Sequence, residues 1–233
     1  MPVAVIIAAS GTGSRMGGQI PKQFQLLGAK PILAHTIEAF NKLDIIGQII
    51  IAAPEKYVAH TQEISTPFPK VQAVVPGGKN RAQSVYAAAK LLSPATDIVL
   101  VHDGVRPFVT GELIMAVIEA TKTHGAAIAG TPLTDTLKQV DAKVQITHTP
   151  NRTQFWHAQT PQGFTYDLLM KAYAQAQKDG ILDQATDDSS LVEHLGHRVQ
   201  IVASTTKNIK ITTPEDLRLA NLLIEGDPQH EEI

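Results

Sequence analysis

Residues 3–24 read VAVIIAASGTGSRMGGQIPKQF. The first seven, Val3–Ala9, are apolar without a break. A strand of that kind has to be covered on both faces, which is the situation of a strand inside a parallel sheet. From Ala8 to Phe24 the chain then holds four glycines and no acid, with Arg15 and Lys22 as its cations. A glycine-rich turn at the carboxyl end of a buried strand offers free backbone N–H groups to an anion, and fixed cations add charge. A plain surface loop with solvated cations is the alternative. Two familiar glycine codes fail here. The dinucleotide fingerprint needs a third glycine where Met16 stands, and a P-loop needs lysine and a hydroxyl where Gln19 and Ile20 stand.

Outward from this stretch, short apolar runs alternate with helical patterns. The runs are Val3–Ala9, Gln48–Ala53, Val71–Val75, Asp97–Val101, Ala126–Gly130 and Val199–Ala203. Helical patterns cover Pro31–Leu43, Arg81–Leu92, Gly111–Thr123, Tyr166–Asp179 and Pro214–Ile224. The last has a start signal, with Thr213 as N-cap, Pro214 next, then Glu215 and Asp216 at the positive end of the dipole. The alternation predicts an α/β three-layer fold with a mainly parallel sheet, in a single domain over 1–233. In such sheets ligands sit beyond the carboxyl ends of the strands. The segment 133–160, LTDTLKQVDAKVQITHTPNRTQFWHAQT, breaks the alternation. It is rich in β-branched residues, with DAK as a turn. It reads as a β-arm leaving the sheet, either lying on its own subunit or contacting a partner.

Composition narrows the function classes. The 233 residues are 43% hydrophobic and 18% charged, with a formal net charge of -2 and no cysteine. Such a balance argues against a general nucleic-acid binder. Lack of cysteine excludes disulfides, thiolate metal sites and cysteine nucleophiles. The opening MPVAVIIAAS has no basic n-region, and its apolar run is too short for an anchor, so no membrane association and a cytoplasmic location are expected.

Three further motifs carry chemistry. HDGVRPF, His102–Phe108, follows the run DIVLV. An acid at a strand's carboxyl end, above a phosphate loop, suits Mg²⁺, so Asp103 is a candidate ligand. Its alternatives are a helix cap or a partner for Arg106. His102 and Arg106 read as structural. PGGKNRAQS, Pro76–Ser84, lets backbone approach a ligand at Gly77 and Gly78, and small residues after Arg81 suit reading a base edge. A tight strand-to-helix turn is the alternative. In TKNIKITTPEDL, Lys210 is placed to reach a second phosphate and Asn208 to hold metal or water; edge lysines that only aid solubility are the alternative. TDDSS, Thr186–Ser190, reads as helix capping. No G-x-S-x-G, H-E-x-x-H or acid/base pair stands out. A site of phosphates, metal and cations without a general base suits a nucleophile that is already an anion. A phosphate monoester is one, since its second pKa is about 6. It can attack a nucleoside triphosphate without losing a proton, leaving alignment and charge neutralisation to the protein.

Seven motifs in order, AASGTGSRMG…PKQF, GGKNRAQSV, VHDGVRPF, DTLK, WHAQTPQ, TDDSSLVE and NIKITTPEDL, resemble the 2-C-methyl-D-erythritol 4-phosphate cytidylyltransferase family over nearly the whole chain. The resemblance implies a Rossmann-like nucleotidyltransferase fold with a protruding β-arm, a homodimer through that arm, and CTP, a sugar-alcohol phosphate and Mg²⁺ as requirements. It places Arg15 and Lys22 as transition-state cations, and Ala8, Ala9, Gly11 and Gly13 on the CTP loop. Gly78, Arg81 and Ser84 fall on the cytosine-reading segment and Asp103 on the metal aspartate. Thr136, Arg152, Thr160 and Lys210 fall on positions that hold the acceptor phosphate. Ser10 departs from the alanine or glycine of many members. A sister family making CDP-ribitol from ribitol 5-phosphate shares the CTP half of the site. DTLK and the spacing of Arg152 from Trp156 look more like the methylerythritol enzymes. A non-catalytic sugar-nucleotide sensor is the remote alternative, against which the retained Arg15, Lys22 and Asp103 count.

Overall fold

A computed structural model describes residues 2–11 and 20–225. Seven strands form the main sheet: β1 (Val3–Ala8), β2 (Ile46–Ala53), β3 (Val71–Pro76), β4 (Ile98–Asp103), β5 (Ala126–Pro132), β6 (Trp156–Thr165) and β7 (Gln200–Ala203). Their spatial order is β7-β5-β6-β4-β1-β2-β3. β1 pairs in parallel with both β2 and β4, as do β2 with β3 and β7 with β5. Only β6 runs antiparallel, wedged between β4 and β5.

The consecutive apolar residues of β1 serve two cores. Ala4 and Ile6 point to one face, where they meet Val85 and Ala88 of α3 (Arg81–Ala89) and Leu169 and Tyr173 of α5 (Tyr166–Lys178). Val3, Val5 and Ile7 point to the other, against Ile37 and Phe40 of α1 (Ile32–Asn41) and Val117 and Ile118 of α4 (Gly111–His124). Period-two alternation of a strand thus fills both interlayer spaces, and helices on both faces make three layers. Each fully buried Val, Ile, Leu or Phe among them stabilises by about 1.5–3 kcal/mol. A short α2 (Val58–Ser65) joins α1 on that second face. α6 (Asp188–His194) packs beside α5. α7 (Pro214–Glu225) closes a small cluster of Leu27, Ile32, Val105, Ile211 and Ala220.

The start of α7 follows its sequence signal. Thr213 Oγ1 accepts the Asp216 N–H at 3.2 Å, and the Asp216 carboxylate accepts the N–H groups of Thr212 and Thr213 at 2.8 and 2.9 Å. This is a reciprocal capping box.

One boundary needs correcting. The expected arm over 133–160 ends sooner, because Trp156–Thr160 belongs to β6 of the main sheet. Trp156, His157 and Ala158 are already in register with Pro132, Thr131 and Gly130 of β5. The arm itself carries two short paired strands, Gln139–Val140 and Ile146–His148. Asp141 makes the turn between them, its carboxylate accepting the N–H groups of Lys143 and Gln145. Among the described residues no helix is long and apolar enough to cross a membrane.

Candidate active site

A cleft of about 390 Å³ opens at the carboxyl ends of β1, β3 and β4. It gathers Ala8, Ala9 and Gly11 from the first loop, with Lys22. From the other side it gathers Gly78 and Arg81, and from the far wall Asp103 and Lys210. Eight of the residues singled out from sequence therefore line one cavity. Arg15 and Gly13, two of the others, lie outside the described residues.

The first loop is fastened from below. Gln23 is buried, and its Nε2 donates to the carbonyls of Ala9 at 2.6 Å and Gly11 at 3.0 Å. Sequence reading passed over Gln23; its one signal was its place inside PKQF, next to Lys22. The second loop is fastened to the first through Ser84. That hydroxyl is fully buried, receives the Ser10 hydroxyl at 2.8 Å and the Gly78 N–H at 3.0 Å, and donates to the Asn80 carbonyl. Ser84 therefore shapes the turn and presents no hydroxyl to the cleft. Glycine at 77 is a packing requirement, since a Cβ there would stand 2.3 Å from Ser10 Cβ. Asn80 caps α3 by accepting the Gln83 N–H at 2.9 Å.

Asp103 is the electrostatic centre. It is buried at the end of β4, and three cations converge on it: Lys210 at 2.8 Å, Arg81 at 3.2 Å and Arg106 at 3.5 Å. Burial alone raises a carboxyl pKa, but Arg81, Lys210 and Arg106 outweigh it and hold Asp103 well below the usual range. It is an anion at any working pH. Arg106 is fixed in turn by donating to the Asn208 carbonyl at 2.7 Å. The pairing of Asp103 with Arg106, the alternative to a metal role in the sequence, is present, alongside two cations from distant parts of the chain.

The floor beneath Asp103 is a chain of single hydrogen bonds. The Asp103 N–H donates to Thr160 Oγ1 at 3.1 Å, Thr160 meets His102 Nδ1 at 3.0 Å, and His102 Nε2 meets the Arg106 carbonyl at 3.1 Å. A carbonyl only accepts, so Nε2 carries the proton, and the Thr160 hydroxyl donates to Nδ1. Burial pushes the His102 pKa down to about 4, which keeps the ring neutral at pH 7. His102 is structural, as its position in sequence suggested. Thr160 sits buried in the sheet under Asp103, its hydroxyl proton committed to His102. Asn208 is buried as well, donating to Gln159 Oε1 and the Thr160 carbonyl, both at 2.9 Å. It ties the Lys210 segment to β6.

Thr136 and Arg152 do not join this cavity in their own chain. Both are exposed on the arm, where Arg152 Nη1 donates to the Thr134 carbonyl at 2.7 Å.

Among the described residues no three His, Cys, Asp or Glu side chains stand together as a metal cage. Asp103, buried yet on the wall of a cation-lined cleft, is a single carboxylate that fits Mg²⁺ of the kind that keeps waters and takes its other ligands from substrate phosphates. Chemically, the arrangement offers cations to a polyphosphate, a shaped turn to a base, and one carboxylate to a metal. Among the described residues that line it, none stands as a nucleophile paired with a general base.

The family model for 2-C-methyl-D-erythritol 4-phosphate cytidylyltransferase (IspD) matches residues 3–226. The 2-C-methyl-D-erythritol 4-phosphate cytidylyltransferase of Symbiobacterium thermophilum is 41% identical over 227 residues, spanning 97% of this chain and 94% of that protein. The bifunctional enzyme IspD/IspF of Desulforudis audaxviator is 44% identical over 226 residues, spanning 96% of this chain and 57% of that protein. The solved 4-diphosphocytidyl-2C-methyl-D-erythritol synthase of Anaerococcus prevotii superposes with a TM-score of 0.85 at 31% identity, over 97% of this chain and 98% of that one.

Proposed function

From the premise that the chain belongs to the 2-C-methyl-D-erythritol 4-phosphate cytidylyltransferase family, we infer that it transfers CMP from CTP to 2-C-methyl-D-erythritol 4-phosphate. The products are 4-diphosphocytidyl-2-C-methyl-D-erythritol and pyrophosphate. The observation that carries this reading is the gathering of Lys22, Gly78, Arg81, Asp103 and Lys210 around one cation-lined cleft. The ribitol 5-phosphate alternative is not favoured.

In the proposed mechanism an oxygen of the acceptor phosphate forms a bond to the α-phosphorus of CTP. The bond from that phosphorus to the α–β bridging oxygen breaks, and its electron pair leaves with pyrophosphate. The incoming dianion needs no proton removed. Backbone N–H groups of the first loop beyond Ala9, whose own N–H donates to the Ala52 carbonyl at 2.8 Å, hold the triphosphate, and Lys22 and Arg15 meet the charge that grows on the transferring phosphoryl group. The turn at Gly78, set by Ser84, receives the cytosine. Asp103 would hold Mg²⁺, which when bound neutralises triphosphate charge. Lys210 is placed for the acceptor phosphate, with Arg152 and Thr136 supplied by the arm of a second subunit. That last assignment is supported by their exposure away from the cleft of their own chain. We read residues 1–233 as one nucleotidyltransferase domain that dimerises through the arm at 133–155.

The test is an acceptor panel with CTP, followed by pyrophosphate release. Methylerythritol 4-phosphate is expected to give the highest kcat/KM. Comparable turnover of ribitol 5-phosphate, or none of methylerythritol 4-phosphate, would overturn the reading.

A further inference from the structure

The motif TDDSS reads in sequence as capping, and half of it is. Asp187 caps α6 by accepting the Ser190 N–H at 3.0 Å. The next residue, Asp188, does something else. It is fully buried, and its Oδ2 accepts Arg81 Nη1 at 2.6 Å. The other oxygen accepts the Tyr173 hydroxyl, and its backbone N–H donates to Gln162 Oε1 at 3.1 Å. Asp188 is therefore fixed by α5 and β6 together.

Arg81 thus stands between two buried carboxylates. Its Nε reaches Asp103 at 3.2 Å, and its Nη1 reaches Asp188 at the shorter 2.6 Å. The turn carrying it cannot slide, because Asp183 Oδ1 accepts Asn80 Nδ2 at 2.7 Å and Gln83 Nε2 at 2.6 Å. A guanidinium with one carboxylate in reach pairs with it bidentately. Here the fork is split, and Asp103 receives a single, longer bond.

We propose that Asp188 is a positioning residue that draws Arg81 away from Asp103 Oδ1, the oxygen that Lys210 and Arg106 do not hold, and so leaves that oxygen available to a metal ion. Without the charge on Asp188, Arg81 closes on Asp103 and competes with the metal for its oxygens. The inference rests on the reading of Asp103 as a metal ligand.

The test measures CTP binding by calorimetry without acceptor, so that nothing turns over, once in EDTA and once with saturating Mn²⁺. The ratio of the two affinities reports how much the protein gains from the metal. Asp188→Asn should lower this ratio about threefold to tenfold, the scale on which one charge-assisted pair competes. Tyr173→Phe removes a neighbouring hydrogen bond but keeps the Asp188–Arg81 pair, and should leave the ratio at the wild-type value. An unchanged ratio in Asp188→Asn overturns the inference, and so does an equal fall in Tyr173→Phe, which would mean general loosening. If Asp188→Asn does not fold, the pair Arg81→Gln/Asp188→Asn removes both charges together and leaves none buried alone. Its ratio should be at or above wild type; a lower one overturns the inference. Asp103→Asn separates the two levels. A ratio that collapses there while Asp188→Asn stays normal sinks only the role of Asp188. A wild-type ratio in Asp103→Asn sinks the metal reading itself.

Discussion

The cleft and the arm use polar and apolar side chains in opposite ways. Around Asp103, the side chains of His102, Arg106, Thr160 and Asn208 are buried and bonded to one another or to nearby backbone. Along the arm, Val140, Val144 and Ile146 keep 45, 80 and 64% of their surface exposed. Arg152 has its guanidinium on a single carbonyl. The first region is pre-set within one chain, as electrostatic catalysis requires. The second holds exposed apolar surface and an exposed cation that meets one carbonyl of its own chain, which supports the dimer reading.

Lys22→Ala tests the cleft most severely. Losing a donor aimed at developing charge costs about 3–4 kcal/mol, or roughly 10²–10³ in kcat, with a much smaller change in CTP affinity. Stopped-flow turnover beside equilibrium CTP binding gives both numbers, and unchanged kcat in a folded variant would take Lys22 out of the mechanism.

The floor under Asp103 predicts an acid limb. His102 has a folded pKa lowered to about 4 from 6.5, so its neutral form is the one the fold favours. Stability is fully present above pH 6.5 and is lost as pH falls from there toward 4, by about 3 kcal/mol in all. Urea unfolding at pH 7, 5.5 and 4.5 should show this fall. His102→Asn should be weaker at pH 7 but flat over that range. A matching slope in the variant would assign the limb to other groups.

On the arm side, Arg152→Ala should raise the acceptor KM about tenfold or more and that of CTP little, in line with about 1.5–3 kcal/mol for a charged hydrogen bond. Mixing Arg152→Ala with Lys22→Ala asks which subunit it serves. If the arm crosses, one site of the mixed dimer carries both lesions and the other neither, so activity returns. No return, with mixed dimers confirmed by native mass spectrometry, would place Arg152 in its own subunit's site and erase the contrast drawn above.

The smallest effect concerns Val144, which sits at φ 62 in the arm's turn. A β-branched residue there is strained by about 1–2 kcal/mol. Val144→Gly should slow amide exchange at Val140 and Ile146 several-fold and leave cleft amides unmoved. Faster exchange on the arm would show that the Val144 side chain supports it.

Much of this was legible in advance for a physical reason. Strands buried on both faces need continuous apolar residues, and the runs at 3, 48, 71, 97, 126 and 199 announce them. β6 was hidden because its middle reads AQTPQ, with a proline and polar residues in a central strand. The structure shows why these are tolerated. Pairing with β5 is interrupted between Ala158 and Gln162, and Gln159, Thr160 and Gln162 find partners in the Asp103 floor and in Asp187. Asp188 was hidden for a different reason. Two adjacent acids at a helix start look alike in sequence, and only the packing of α6 against α5 decides which one turns inward. The partners of Asp103 at Arg81 and Lys210 lie 22 and 107 positions away, at separations that no local pattern encodes.

The way the chain enters and leaves the arm has a consequence for how such a molecule can change. Pro132 and Trp156 face each other across β5 and β6, so 23 intervening residues begin and end at a gap of one strand spacing, about 5 Å. Topologically the arm is an insert in a hairpin, and a two-residue turn would close the same gap. Its length, sequence and exposed surface are therefore free to be rewritten without reopening the sheet. Thr160, only four residues past the junction, is the point at which that freedom stops, because from there on the same strand holds Asp103 in place.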